Sequence, residues 1–150
     1  KYLQKGLNVA IGTDGPASNN SLDMFKEMTL TYALQKVTLK DPTALPAFEL
    51  LKMATVNGAK AMGLTDADVL EVGKKADIIE LDLSRPNMQP LNNIVNNIVY
   101  SGSKENVILT MINGKILYRN GKFMISENIN DIYDKCAKIG ERIEKGLLEK

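Results

Sequence analysis

Residues 7–13 (Leu-Asn-Val-Ala-Ile-Gly-Thr) form a short, almost continuously apolar run that ends at a carboxylate, Asp14, followed by Gly15. A run of this length without alternation reads as a strand buried on both faces, which a parallel sheet provides and a half-exposed hairpin does not. The chain then turns through Asp14, Gly15, Pro16, Ala17, Ser18, Asn19 and Asn20. Asn20 or Ser21 can cap a helix beginning near Leu22, with Asp23 in its first turn, where negative charge suits the helix dipole. Leu22, Phe25, Met28, Thr29 and Tyr32 share one face of that helix. Asp41-Pro42-Thr43 breaks it; Pro46 opens a second helix holding Phe48, Leu51 and Ala54, and Thr55 can cap a third that stops at Gly63. A strand followed by helices is the alternation of an α/β unit.

After Gly63 the pattern changes. Residues 78–83 (Ile-Ile-Glu-Leu-Asp-Leu) read as a strand, and residues 94–100 as another, although rich in asparagine. Residues 107–112, 115–118 and 122–125 are short apolar runs separated by Asn113-Gly114 and Asn120-Gly121. Asn-Gly supplies the two positive φ angles of a tight hairpin turn, so an antiparallel meander is expected. From residue 128 onward, Ile129, Ile132, Tyr133, Cys136, Ile139 and Ile143 recur at helical spacing, predicting an amphipathic helix packed by that face, with Cys136 as a core residue. The expected organisation is therefore residues 1–66, 67–127 and 128–150.

Net charge is +1, with 25% charged and 44% hydrophobic residues, which is the balance of a folded globular protein. The lysines are scattered, so there is no electrostatic footprint for nucleic acid or an anionic membrane surface. No apolar run is long enough to span a bilayer, and a single cysteine cannot form an internal disulfide, which leaves the cytoplasm as the expected location. Small molecules or protein partners remain. The chain opens on Lys1-Tyr2-Leu3-Gln4-Lys5-Gly6, which reads as the tail of a helix ending at glycine and suggests a cut through a larger protein.

Chemistry concentrates at Gly12-Thr13-Asp14-Gly15. In parallel α/β folds, the carboxyl ends of strands are where ligands and catalysis sit. An Asp there can ligate a cation through oxygen or accept a proton from an activated water. The same Asp-Gly dipeptide also punctuates ordinary turns, and on these four residues alone both readings stand. Ser18 and Asn19 follow on the loop and could bond a substrate's hydroxyls or ring nitrogens, with helix capping as the competing role. Gly73-Lys74-Lys75 lacks the spaced glycines and hydroxyl of a phosphate loop and reads as a turn entering a strand.

Residues 7–36 (LNVAIGTDGPASNNSLDMFKEMTLTYALQK), together with residues 54–64, 73–79 and 107–115, resemble the amidohydrolase superfamily. Within it they are similar to the 5-methylthioadenosine/S-adenosylhomocysteine deaminases and the related chlorohydrolases. The resemblance covers nearly the full chain, the last helix being least distinctive. It implies an α/β fold consisting of the last strand and helices of a TIM barrel, then strands of a small β-sandwich and a terminal helix, an incomplete part of the whole. It also implies a divalent metal, zinc or iron, that activates water for attack on a ring carbon bearing an amino group. In this resemblance Asp14 is both metal ligand and catalytic proton relay, and an adenosine-type nucleoside or another heterocyclic amine is the substrate.

The histidines and glutamate that complete such a site come from earlier strands, and this chain has no histidine. A zinc site needs about three protein ligands plus water, so the chain alone is expected to bind no metal and to be inactive. Residues 7–13 without barrel neighbours would expose apolar surface and unpaired backbone, which predicts a homo-oligomer or a rearranged packing. The rival readings are another amidohydrolase, acting on guanine, cytosine, a triazine or a chlorinated ring, and a non-catalytic interaction module built from the meander and terminal helix.

Overall fold

The computed structural model describes residues 2–148. Helix α1 (Met24–Leu39) starts at Asp23, whose Oδ1 accepts the Phe25 and Lys26 backbone N–H groups at 3.0 and 3.3 Å. The cap therefore lies beyond Asn20 and Ser21, because the Asp23 carboxylate reaches the orphan donors of the first turn directly. Leu22 is left outside the helix and exposed. Phe25 and Met28 are buried and Tyr32 is packed at the edge of the core, as the 3.6-residue period requires.

Pro46 precedes α2 (Ala47–Ala54), which buries Ala47, Leu50 and Met53. The inward face is thus turned from the one expected: Phe48 is exposed, its ring 5.9 Å from the Lys52 Nζ, while Leu51 and Ala54 are half-buried. Small Ala47 lets the α2 backbone approach α1, and Leu50 then fills the space between helices. A short α3 (Val56–Ala61) follows, and Gly63 at φ 72° closes it in the left-handed region that glycine tolerates. Thr55 does not cap α3; its hydroxyl donates back to the Leu51 carbonyl at 2.7 Å.

Residues 94–100 are helical, not extended. In α4 (Ile94–Tyr100) the Asn93 side chain accepts the Asn96 N–H at 3.0 Å. Val95, Ile98 and Val99 turn inward at three- and four-residue spacing, and Val99 is fully buried. The asparagines that disfavour a strand there serve as a cap and, at Asn97, as a donor to the Met88 carbonyl at 2.8 Å. One core joins α1, α2 and α4: Phe25, Met28, Ala47, Leu50 and Val99, with Ile11, Leu81 and Val107 packed against it.

The strand expected at residues 7–13 is extended but joins no ladder. It is tied to the helical layer by the Ile11 N–H to the Met53 carbonyl at 3.0 Å, by the Asn57 side-chain amide to the Val9 carbonyl at 2.9 Å and by the Asn8 side-chain amide to the Asn57 carbonyl at 3.0 Å. The apolar run is that of a strand with neighbours on both sides, and none of the strands described below lies alongside it.

Those strands form a single antiparallel sheet in the order β1 (Ile78–Leu81), β2 (Val107–Ile112), β3 (Lys115–Arg119), β4 (Lys122–Phe123). The β2–β3 and β3–β4 connections are the anticipated Asn-Gly turns, with φ 48° and 78° at Asn113 and Gly114 and 46° and 83° at Asn120 and Gly121. Strands belonging to a small β-sandwich were expected as part of an incomplete whole; among the described residues the strands form one antiparallel sheet. The segment leading into β1 is tied down by Lys74–Asp68 at 2.5 Å and Lys75–Asp66 at 2.8 Å.

Helix α5 (Ile129–Leu148) forms as expected, but its apolar stripe is not packed. Ile129 and Ile132 are half-buried, whereas Tyr133, Cys136, Ile139 and Ile143 are exposed. Cys136 is therefore no core residue, and beyond the first turn nothing among the described residues covers that face. No described helix is long and apolar enough to cross a membrane.

Candidate active site

Asp14 sits where the extended segment ends, at φ 57°. Asp is among the few non-glycine types that accept this left-handed geometry, because its short side chain can bond nearby backbone. Here Asp14 Oδ1 accepts the Gly15 N–H at 2.7 Å, and Oδ2 accepts the Ser18 hydroxyl at 2.7 Å. The Ser18 hydroxyl and the Gly15 N–H, in that order, hold the carboxyl below the usual aspartate range, since both bonds favour the charged form. The result is an exposed, ionised carboxylate at neutral pH, with each oxygen fixed by one donor and retaining further acceptor capacity.

The loop that follows is wound on itself. Ser18 and Asn19 backbone N–H groups both donate to the Gly15 carbonyl, at 3.1 and 2.9 Å. The structure thus brings Ser18 onto Asp14, as its hydroxyl partner. Asn19 lies apart from the carboxylate: its Nδ2 donates to the Thr13 carbonyl at 2.8 Å and to Glu27 Oε1 at 2.7 Å, and its Oδ1 accepts the Ser21 N–H at 3.2 Å. Glu27 is the participant that sequence reading missed. It lies eight residues from Asn19 across a loop–helix junction, so no motif spacing reveals the pairing.

Beneath this loop runs a groove of about 410 Å³, lined by Val9, Ile11, Gly12, Glu27, Thr31 and Met53 among others. It is the open flank of residues 7–13. The lining mixes apolar Val9, Ile11 and Met53 with polar Glu27 and Thr31, and Asp14 follows two residues after Gly12 in the chain.

Among the described residues no group of three or more His, Cys, Asp or Glu side chains lies close enough to hold a metal ion. Asp14 offers one hard oxygen donor and no imidazole stands beside it, the chain having none. The donor set present does not fit a zinc centre, which takes about four ligands.

The amidohydrolase family model matches residues 1–117. This chain belongs to the amidohydrolase family. The amidohydrolase chain is 49% identical over 127 residues to a 5′-deoxyadenosine deaminase of Methanothermobacter thermautotrophicus, covering 85% of itself and 30% of that protein. It is 39% identical over 148 residues to a 5-methylthioadenosine/S-adenosylhomocysteine deaminase of Caldanaerobacter subterraneus subsp. tengcongensis, covering 97% of itself and 34% of that protein. Among solved structures, an adenosine deaminase from Xanthomonas campestris with bound zinc superposes with a TM-score of 0.90 at 35% identity, over 95% of this chain and 33% of that one. The amidohydrolase chain therefore spans about a third of the length of these relatives.

Proposed function

We propose that this chain is the part of a hydrolytic deaminase of adenosine-type nucleosides that supplies the proton-accepting carboxylate, Asp14. One observation carries the reading: an exposed carboxylate kept ionised by the Ser18 hydroxyl and the Gly15 N–H, at the open end of an extended apolar segment. The identity to deaminases of 5′-deoxyadenosine and of 5-methylthioadenosine/S-adenosylhomocysteine supports the choice of substrate class.

In this reading residues 1–66 complete a barrel whose other strands lie in the length that the relatives have and this chain does not span. Residues 67–127 form part of the sheet module beside it, and the third unit, residues 128–150, carries the terminal helix α5 (Ile129–Leu148). Residues 7–13 are a barrel strand, and the groove along them is where the next strand lies. The net reaction replaces the amino group on a ring carbon by oxygen from water and releases ammonia. Asp14 accepts a proton as the water oxygen attacks and returns it to the departing amine, so no net proton is gained or lost. A divalent metal, zinc or iron, belongs to the intact enzyme in this reading; with one oxygen donor and no histidine, this chain does not hold it alone.

The test is Asp14→Asn in the protein that carries a complete site, followed by ammonia release from 5′-deoxyadenosine, 5-methylthioadenosine and S-adenosylhomocysteine. Loss of a general base typically costs ~10²- to 10⁴-fold, so kcat should fall at least about 100-fold. Undiminished turnover would overturn the role of Asp14, and no deamination of any of the three by the unsubstituted protein would overturn the substrate class.

A further inference from the structure

The bonds that Asp14 makes and the bonds that hold its loop are two separate sets. Gly15 and Ser18 fix the carboxylate relative to its own turn, because both lie within that turn. They do not fix the turn relative to the helical layer. A different pair does so. Asn19 Nδ2 donates at once to the carbonyl of Thr13, the residue before the carboxylate, and to the carboxylate of Glu27 on the first turn of α1. That turn is anchored by its neighbours Phe25 and Met28, both buried in the core. The Asn19 side-chain oxygen is engaged as well, by the Ser21 N–H at 3.2 Å, so both ends of this amide are held. The path from core to carboxylate is thus continuous: α1, Glu27, Asn19, the Thr13 carbonyl, Asp14.

We propose that Asn19 and Glu27 are positioning residues for Asp14: a clamp that sets the direction in which the Thr13–Asp14 peptide presents the carboxylate. The proposal rests on Asp14 being the proton acceptor. Its physical basis is that φ 57° places the Asp14 backbone in a sparsely populated region, and a carbonyl pinned on its amino side from outside the turn helps to hold the direction of that peptide. Asn19 pins it, and Glu27 fixes Asn19. Neither Asn19 nor Glu27 bonds the Asp14 carboxylate itself, so the loss of the clamp should be felt in the chemical step more than in binding.

The experiment uses the protein with its complete site and 5′-deoxyadenosine as substrate. Asn19→Ala, Glu27→Ala and Glu27→Met should each lower kcat by roughly 10- to 100-fold, the scale of a displacement of about 1 Å at a reacting group. KM should stay within about threefold, because interactions felt only in the transition state act on kcat. Glu27→Gln retains an acceptor oxygen at the same reach and should restore most of what Glu27→Met loses. Melting temperatures are taken alongside, and Glu27→Met keeps the helix and the side-chain volume if Glu27→Ala folds poorly. Wild-type kcat in Glu27→Met overturns the clamp, and so does Glu27→Gln being as impaired as Glu27→Met. Asp14→Asn separates this from the broader reading: if it stays active the deaminase role of Asp14 fails, whereas an inactive Asp14→Asn beside a fully active Glu27→Met sinks the clamp alone.

Discussion

Asn106 shows what a single residue can hold together. It is fully buried, yet its Oδ1 accepts the Asn87 side-chain amide at 2.8 Å and the Ser103 N–H at 3.0 Å, while its Nδ2 donates to the Asp82 carbonyl at 3.0 Å. The side chain thereby ties the end of β1 to two turns. Asn106→Leu keeps the branched outline of the side chain but strands the Ser103 N–H and the Asp82 carbonyl. At ~1–3 kcal/mol for each unsatisfied buried group, the expected loss is roughly 2–6 kcal/mol, read from urea unfolding with an unchanged m-value. Gly102 is constrained in the opposite sense: a Cβ there would collide with the Ile98 carbonyl oxygen and stand 3.1 Å from the Phe25 ring. Gly102→Ala should cost about 1–3 kcal/mol and lower Tm, because backbone cannot yield as a side-chain tip can. Neither role is legible in the sequence, and the reason is separation: Asn106 finds Asp82 24 residues away. Asp14 could be singled out as a candidate because everything that marks it, the apolar run before it and the polar loop after it, is local. Glu27 could not, because its partner lies across a junction between loop and helix.

Elements whose signals are local came through the sequence intact, and those set by tertiary packing did not. The Asn-Gly turns dictate positive φ and fixed both hairpins of the meander. Residues 94–100 read as a strand because short apolar runs do not declare their period, and it is the burial of Val95, Ile98 and Val99 together that makes them a helix. The segment before β1 is governed by charge. Lys74 and Lys75 hold the Asp68 and Asp66 carboxyls below their usual range, and the two lysines are in turn raised. Depressed carboxylates stabilise the fold above the ordinary aspartate value, and this contribution is lost as pH falls through the lower native values. Raised lysines contribute below the ordinary lysine value, and that contribution is lost as pH climbs past it. The latch is therefore complete between about pH 4 and pH 10 and fails on both sides. A Lys74→Met/Lys75→Met chain should melt lower than wild type at pH 7, with the gap closing as pH falls below about 4. An equal gap at pH 3 and pH 7 would show that the lysines act through packing rather than charge.

At the scale of the molecule, two surfaces lack cover among the described residues, and they differ in kind. The α5 stripe of Tyr133, Ile139 and Ile143 is apolar side chain on a helix whose own backbone is satisfied. Residues 7–13 present apolar side chains and also backbone groups with no ladder, and unpaired backbone is a directional template for another strand. Hydrogen-bonded pairing along an edge adds one bond after another in register, whereas the stripe offers only contact area, so the extended segment should dominate association of this chain. Sedimentation velocity over a concentration series should therefore show reversible self-association. Ala10→Pro places a ring where an N–H would otherwise donate to an incoming strand, and it keeps Val9 extended, so it should weaken association without disturbing the Ile11–Met53 bond. Ile139→Glu/Ile143→Glu on α5 should leave association nearly as it was. The opposite ranking would move the sticky surface to the helix, and a single monomeric species at every concentration would mean that residues 7–13 satisfy themselves within the chain, contrary to what an unpaired apolar segment requires.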